Sequence, residues 1–234
     1  MLQDPEFRAV RDRVATERTK RPLRTDVINF LLGLYSGETT YLEIGVRNPD
    51  HNFNHIEATH KYSVDPGVEF EANPVDFQLT SDEFFAALEK GVALPATTRF
   101  DVVFVDGLHL AEQADRDIAN ALAFLKEDGF VVLHDCNPPS EWHARESFGY
   151  VHTPAEVGWN GTTWKAFLKW RQHPDVQSCC VDTDWGVGVI AKARPLGAAL
   201  PAVNPFYEYK VLAEHRREHL NLVSFATFQS LVNT

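Results

Sequence analysis

The chain has 234 residues, 44% of them hydrophobic and 24% charged, with a formal net charge of −11. That length suits one sizeable core, and the balance is that of an ordinary globular chain. The acidity argues against a nucleic-acid partner, because phosphate binding needs a concentrated cationic surface, and no apolar run is long enough to cross a bilayer.

The segment 1–20 is charged throughout and lacks the apolar core of a signal peptide, so a cytoplasmic location is expected. Cys136, Cys179 and Cys180 agree, since they form no even, spaced disulfide framework. Basic residues gather between Arg8 and Arg24, but acids are interleaved and the stretch reads as a solvated helix face.

Asp4-Pro5-Glu6 has the order cap, first-turn proline, first-turn acid, and Phe7, Val10 and Val14 follow at helical spacing. A second helix is expected from Thr25 through Ile28, Leu31 and Leu32 to a stop at Gly37. Four short apolar runs then read as strands: Thr40 to Val46, Lys61 to Asp65, Arg99 to Asp106 and Phe130 to Asp135. Their apolar residues are consecutive rather than alternating, as in strands buried on both faces of a parallel sheet.

Ser81 to Lys90 reads as a helix with Ser81 as its cap. Ala114, Ile118, Leu122 and Leu125 make the stripe of another, stopped by Asp128-Gly129. The segment Asn48 to His60 is poor in glycine and in helix signals, so His51 and His55 read as surface histidines. Asn137 to Gly161 reads as a long ordered loop, a kind of segment that is more often functional than not. Thr162 to Arg171 reads as helix, and Val176 to Val181 with Gly186 to Ala191 as an antiparallel pair. Two helical stretches follow Pro205, the second marked by Phe225, Phe228 and Val232. The expectation is one α/β domain with a Rossmann-like doubly wound sheet, mostly parallel with an antiparallel C-terminal hairpin. Its parts are N-terminal helices over 1–37, a core over 38–194 and a helical extension over 195–234.

Open α/β sheets bind ligands at the carboxyl ends of their strands, near the switch in strand order. Glu43, Asp65 and Asp106 fall at three such ends. Asp65 stands about 20 positions after Gly45, the spacing of a ribose-binding carboxylate. That spacing serves a nicotinamide enzyme as well as other nucleoside-cofactor enzymes. Gly45, however, is followed by Val-Arg-Asn-Pro-Asp, without the further glycines that let a pyrophosphate approach a helix N-terminus.

Tyr41-Leu-Glu-Ile-Gly-Val-Arg, Tyr62-Ser-Val-Asp-Pro, Phe100-Asp-Val-Val-Phe-Val-Asp-Gly-Leu-His and Gly129-Phe-Val-Val-Leu-His-Asp stand in this order. Together they resemble the core motifs of class I S-adenosylmethionine-dependent methyltransferases, over residues 38–136. Carried across by position, the resemblance implies that Glu43 and Gly45 meet the methionine end of the cofactor, with Val46 and Arg47 also among the cofactor-binding residues. Asp65 would hold the ribose, Thr80 and Ser81 with Asp82 would lie beside the adenine, and Asp106 and Gly107 would complete the cofactor-binding set. The family usually has a longer helix where Asn48 to His60 stands.

A narrower similarity concerns the chemistry. Asp106-Gly-Leu-His109 followed by His134-Asp135 is similar to the Asp-x-x-His and paired-acid motifs of metal-dependent macrolide-sugar O-methyltransferases. The similarity implies a cation on Asp106, His134 and Asp135, with Asp106 and His109 catalytic and His109 as base. A divalent cation lowers the pKa of a hydroxyl, and a neutral imidazole can then take its proton. His134 stands where that family has a carboxylate, which weakens magnesium and favours a transition metal. Each acid and histidine here also has a purely structural reading, as turn cap or hydrogen-bonded strand end.

The expected function is therefore methyl transfer from S-adenosylmethionine to a hydroxyl of a small polar substrate such as a sugar or glycoside. The rival readings are a nicotinamide oxidoreductase, a non-catalytic protein of the same fold, and hydroxylase-like chemistry at the same cofactor site. Trp142, Trp159 and Trp164 serve as substrate platform or loop core, with His143, Arg145 and Asn160 as candidate substrate contacts. Cys136 reads as a buried, inert thiol. The tail after Pro205 leaves a homo-oligomer open.

Overall fold

The computed structural model describes residues 4–69, 73–150, 152–201 and 204–233. The outer ends of the expected N- and C-terminal extensions, and position 151 of the expected loop, lie outside them. Asp4 caps the first helix by accepting the Glu6 N–H at 2.8 Å, and α1 runs over Pro5–Thr19. Next comes α2 over Arg24–Leu32, with Gly33 as its C-cap. It starts one residue before the expected Thr25 and stops well short of Gly37. The Asp26 carboxylate closes its N-terminus on the Leu23 N–H at 2.9 Å, which draws Arg24 into the first turn.

The strands are β1 (Thr40–Ile44), β2 (His60–Val64), β3 (Phe100–Val105), β4 (Leu125–Leu133), β5 (Gln177–Val181), β6 (Val187–Ala191) and β7 (Leu222–Val223). They form one sheet in the order β2-β1-β3-β4-β6-β5-β7. Only β6 runs against the other six. The sheet is thus doubly wound and mostly parallel, with β5 and β6 as its antiparallel hairpin. The helices between and after the strands are α3 (Ser81–Glu89), α4 (Ala111–Ala123), α5 (Thr163–Arg171), α6 (Tyr209–His219) and α7 (Phe225–Val232).

The consecutive apolar runs have the consequence that period-two side-chain geometry demands. Leu42, Val103, Val105, Val131 and Leu133 point to the face covered by Phe84, Phe85 and Leu88 of α3, Ile118 of α4 and Phe167 of α5. Tyr41, Val102, Phe104, Phe130 and Val132 point to the other, where Ile28 and Leu31 of α2 and Phe228 and Val232 of α7 cover them. The C-terminal tail therefore packs on its own sheet. Within β3 the buried Asp101 is neutralised by Lys126 at 2.8 Å and accepts the Thr40 N–H at 2.7 Å, as burial of a charge requires.

Two boundaries differ from expectation. Thr80, not Ser81, caps α3, in a reciprocal pair with Glu83. Leu125 does not belong to the α4 stripe. The helix ends at Ala123, Leu125 opens β4 opposite Phe100, and the register then slips to pair Phe130 with Val102. Asp128 and Gly129 lie inside that irregularity rather than at a helix stop, because the strand starts earlier than its continuous apolar part. The segment after Asn48 is two short 3-10 turns, Pro49–His51 and Phe53–His55.

Candidate active site

The chain leaves β1 towards β2 on one side and enters β3 on the other, so the strand order reverses between β1 and β3. Their carboxyl ends nearly touch there. Gly45 has φ of +90°, and a Cβ at that position would overlap the Asp106 carbonyl. Glycine is required twice over, by conformation and by space. The crevice above this crossing is a cleft of about 890 Å³, the size of a small-molecule site. Glu43, Asp65 and Asp106 all line it.

Glu43 stands at the floor, buried, accepting hydrogen bonds from the Tyr41 hydroxyl at 2.6 Å and the Asn52 amide at 2.9 Å. Burial pushes its carboxyl up to about 7, and the nearby Asp106 charge adds to this against those two hydrogen bonds and Arg24. Asp65 follows β2, and its Oδ1 accepts from the Gly67 N–H and the Asn73 amide, each at 2.7 Å. Asn73 also lines the cleft, and its own buried Oδ1 has no hydrogen-bond partner among the described residues. Such an orphaned acceptor calls for a donor from a ligand.

Gly45, Arg47, Thr80, Ser81 and Gly107 line the same cleft, with Arg47 ion-paired to Glu69 at 2.5 Å. Val46 does not. Its side chain is 1% exposed and packs inward, because the turn after Gly45 directs it away from the opening. A contact from Val46 to a ligand is therefore limited to its backbone.

At the other end of the cleft four side chains converge. His109 Nε2 lies 3.4 Å from Asp106 Oδ1, and its Nδ1 lies 3.2 Å from Asp135 Oδ2. His134 Nδ1 lies 3.3 Å from Asp106 Oδ1 and 3.4 Å from Asp135 Oδ2. Asp135 is held in a left-handed conformation at φ 60°, the kind of strain that clusters at functional sites. Burial opposes charge on both histidines, but Asp135 and Asp106 outweigh it. His109 is held up at about 9, and His134 well above the ordinary imidazole value. Burial likewise opposes the charge on Asp106, yet His134 and the His109 hydrogen bond keep its carboxyl well below the usual range.

The long loop after Asn137 delivers two further groups. Asn160 donates to Asp135 Oδ1 at 2.7 Å, and the Trp159 ring stacks on His109 with centroids 5.2 Å apart. Arg145 and His143 hold this loop and do not line the cleft. Arg145 donates to the Trp142 and Gly158 carbonyls, and the His143 carbonyl accepts from Asn160 and Gly161. Trp164 is core, Trp142 is bonded to Glu6 on the outside, and Cys136 is fully buried with its thiol pushed up by burial. His55 is exposed, whereas the exposed His51 borders the cleft.

Two residues of the site escape a reading of the sequence. Arg24 is not part of a solvated face. It lines the cleft and lies 3.1 Å from Asp184, and burial of its guanidinium is offset by Asp106 and Asp184. Asp184, after β5, lies 3.5 Å from His134 Nε2. The available signal is the acid cluster Asp182-Thr-Asp184 after a strand that runs with the core strands, and so ends on the same side.

A divalent cation fits these donors. Asp106, His134 and Asp135 each offer one ligand atom, and the three atoms lie within 4.8 Å of one another. Two carboxylate oxygens and an imidazole nitrogen form a mixed set, suited to a transition ion more than to magnesium.

A family model described as a methyltransferase domain matches residues 8–136, more than half of the chain. No curated protein matches the sequence. Among solved structures, the chain is similar to the MycE methyltransferase from the mycinamycin biosynthetic pathway, in complex with Mg, SAH and mycinamycin VI. The identity is 15% and the TM-score 0.47, over 88% of this chain and 58% of that one. The chain thus spans under two thirds of MycE. It is also similar to an O-methyltransferase from Bacillus cereus in complex with SAH, at 14% identity and TM-score 0.36, over 80% and 90% of the two chains. A third likeness is to the O-methyltransferase TomG from Streptomyces achromogenes, involved in tomaymycin synthesis and in complex with SAM. There the identity is 12% and the TM-score 0.41, over 81% and 90%.

Proposed function

The chain belongs to the methyltransferase-domain family, and from that premise we propose that it moves the methyl group of S-adenosylmethionine to a hydroxyl oxygen. The acceptor in this reading is a small polar molecule, a sugar or glycoside first among them, met in the cytoplasm. The observation that carries it is the convergence of Glu43, Asp65 and Asp106 on one cleft at the strand-order switch. Carboxylates at the base of a nucleoside site accept from adjacent ribose hydroxyls and face cationic groups. The missing second and third glycines after Gly45 argue against a pyrophosphate.

In this reading Asp65 and Asn73 hold the ribose, Thr80 and Ser81 flank the base, and Glu43 with Arg47 borders the amino-acid end. S-adenosylmethionine, when bound, supplies an electrophilic methyl group. The chain's own contribution to transfer is largely alignment of the acceptor oxygen with that group. Trp159, stacked on His109 and lining the cleft, brings an aromatic side chain to the acceptor end, of the kind that sugars pack against. Asp106, His134 and Asp135 are the residues that would hold a divalent cation. Such a cation would supply Lewis acidity towards the acceptor hydroxyl.

His109 is the group placed to receive the acceptor proton. Beside Asp135 and Asp106 it is already protonated at neutral pH, because its pKa is held at about 9. Neutralising those carboxylates removes the attraction that keeps the proton, and the ring regains its accepting form.

Calorimetric titration of the chain with S-adenosylhomocysteine and, separately, with NADH tests the reading. The expected result is saturable binding of the first alone, with a loss of about 10-fold or more on Asp65→Ala, the cost of about 1.4 kcal/mol in hydrogen bonding. Saturable NADH binding without S-adenosylhomocysteine binding would overturn it.

A further inference from the structure

We propose that Asp184 is a positioning residue that decides which nitrogen His134 presents to a divalent cation. It holds the Nε2 proton, so that the Nδ1 lone pair is turned towards Asp106 and Asp135. The inference rests on the cation reading of Asp106, His134 and Asp135 given above and extends it to a residue outside that set.

The geometry gives His134 two different sides. Nδ1 faces the two carboxylates of the site at 3.3 and 3.4 Å, and Nε2 faces Asp184 Oδ1 at 3.5 Å. A ligating imidazole must leave one nitrogen bare, and the hydrogen bond made by the other nitrogen sets which one it is. The Arg24 guanidinium also lies 3.5 Å from Nε2, but it has only protons to offer. A ring protonated at Nε2 therefore has Asp184 as its acceptor. A ring bare at Nε2 would accept from Arg24 instead, and Nδ1 would then carry a proton where a cation should sit.

Asp184 is built into place rather than left to chance. Its Oδ2 accepts both the Arg24 backbone N–H at 2.9 Å and the Arg24 guanidinium at 3.1 Å, which directs Oδ1 to the ring. Asp184, Trp185 and Gly186 follow one another in left-handed conformation, at φ 42°, 64° and 92°. Gly186 takes this conformation freely, but Asp184 and Trp185 in succession are costly there and persist only where surrounding structure enforces them. Here the turn is tied to the chain just after Asp135. The Cys136 N–H donates to the Gly186 carbonyl at 3.0 Å, and the Asn137 N–H donates to the Trp185 carbonyl at 2.9 Å. The same backbone ladder thus fixes Asp184 relative to both His134 and Asp135.

The experiment is a titration of the full chain with Co²⁺, followed by heat and by visible d–d absorption, in unaltered protein and in Asp184→Asn. Asparagine tolerates the left-handed conformation, so the turn survives, and S-adenosylhomocysteine affinity serves as the control for the fold. The expected result is Co²⁺ affinity about 10- to 100-fold weaker in the variant, with an altered d–d band. The partner measurement repeats the substitution in a His134→Asp background, where a carboxylate has no tautomer to set. There Asp184→Asn is expected to cause no further loss. Unchanged Co²⁺ affinity in the single variant, or an equal loss in both backgrounds, would overturn the role of Asp184 while leaving the cation site standing. Failure of the unaltered chain to bind Co²⁺ would overturn both.

Discussion

Buried on the floor of the cleft, Glu43 is held at about 7 by burial and by the charge of Asp106. The ordinary value for the group is 4.5. A carboxyl whose folded pKa is raised binds its proton more tightly in the native state. Its contribution to stability is full below the unfolded value and is lost as pH rises through the folded one. The window is therefore from about 4.5 to about 7. Glu43→Gln keeps an acceptor for the Tyr41 hydroxyl but has no proton to lose. Denaturant midpoints at pH 5 and pH 8.5 should show the variant gaining on the unaltered chain at the higher pH. Parallel midpoints at both values would contradict the assignment. At this scale the sequence was informative where a residue stands at or just beyond the carboxyl end of a strand. Glu43, Asp65, Asp106 and Asp135 are all legible in that way. Arg24 is not, because it reaches the site from a helix placed by long-range packing, and Asp184 is signalled only by the acids that follow β5. Val46 follows its strand too, yet the turn at Gly45 sends its side chain inward.

The elements were legible in proportion to their periodicity. Continuous apolar runs announced β1 to β4, since both faces of each strand are covered. Their helical covers were visible as stripes, and the C-terminal phenylalanines as the stripe of α7. What escaped were the ends. Leu125 has the spacing of the α4 stripe but begins β4, and α2 stops at Leu32 although no strong breaker stands before Gly37 except Gly33. Such boundaries depend on caps and tertiary contacts more than on propensity. The tail itself has a measurable role. Phe228 is fully buried against Phe30, with ring centroids 6.0 Å apart, and shares the α2 face of the sheet. Phe228→Ala should destabilise the chain by about 3–5 kcal/mol, read as a lower urea midpoint with an unchanged slope. A loss below about 1 kcal/mol would show that α7 does not seal that face.

At the scale of the molecule, one topological event gathers the chemistry. The order reverses between β1 and β3, Gly45 lets their ends meet, and the acids that terminate the strands face one crevice. The loop from Asn137 to Gly161 then closes that end of the cleft by bringing Asn160 to Asp135 and Trp159 to His109. That closure was legible only as a long ordered segment, because which of its side chains turn inward is decided by the Arg145 and His143 hydrogen bonds within it. No described helix is long and apolar enough to cross a membrane.

The most direct measurement is a crystal structure of the chain grown with S-adenosylhomocysteine. The ribose hydroxyls are expected about 3 Å from the Asp65 carboxylate, with the sulfur on the side of Asp106 and His109. A nucleoside bound away from Asp65, or a sulfur directed away from that cluster, would contradict the proposed activity.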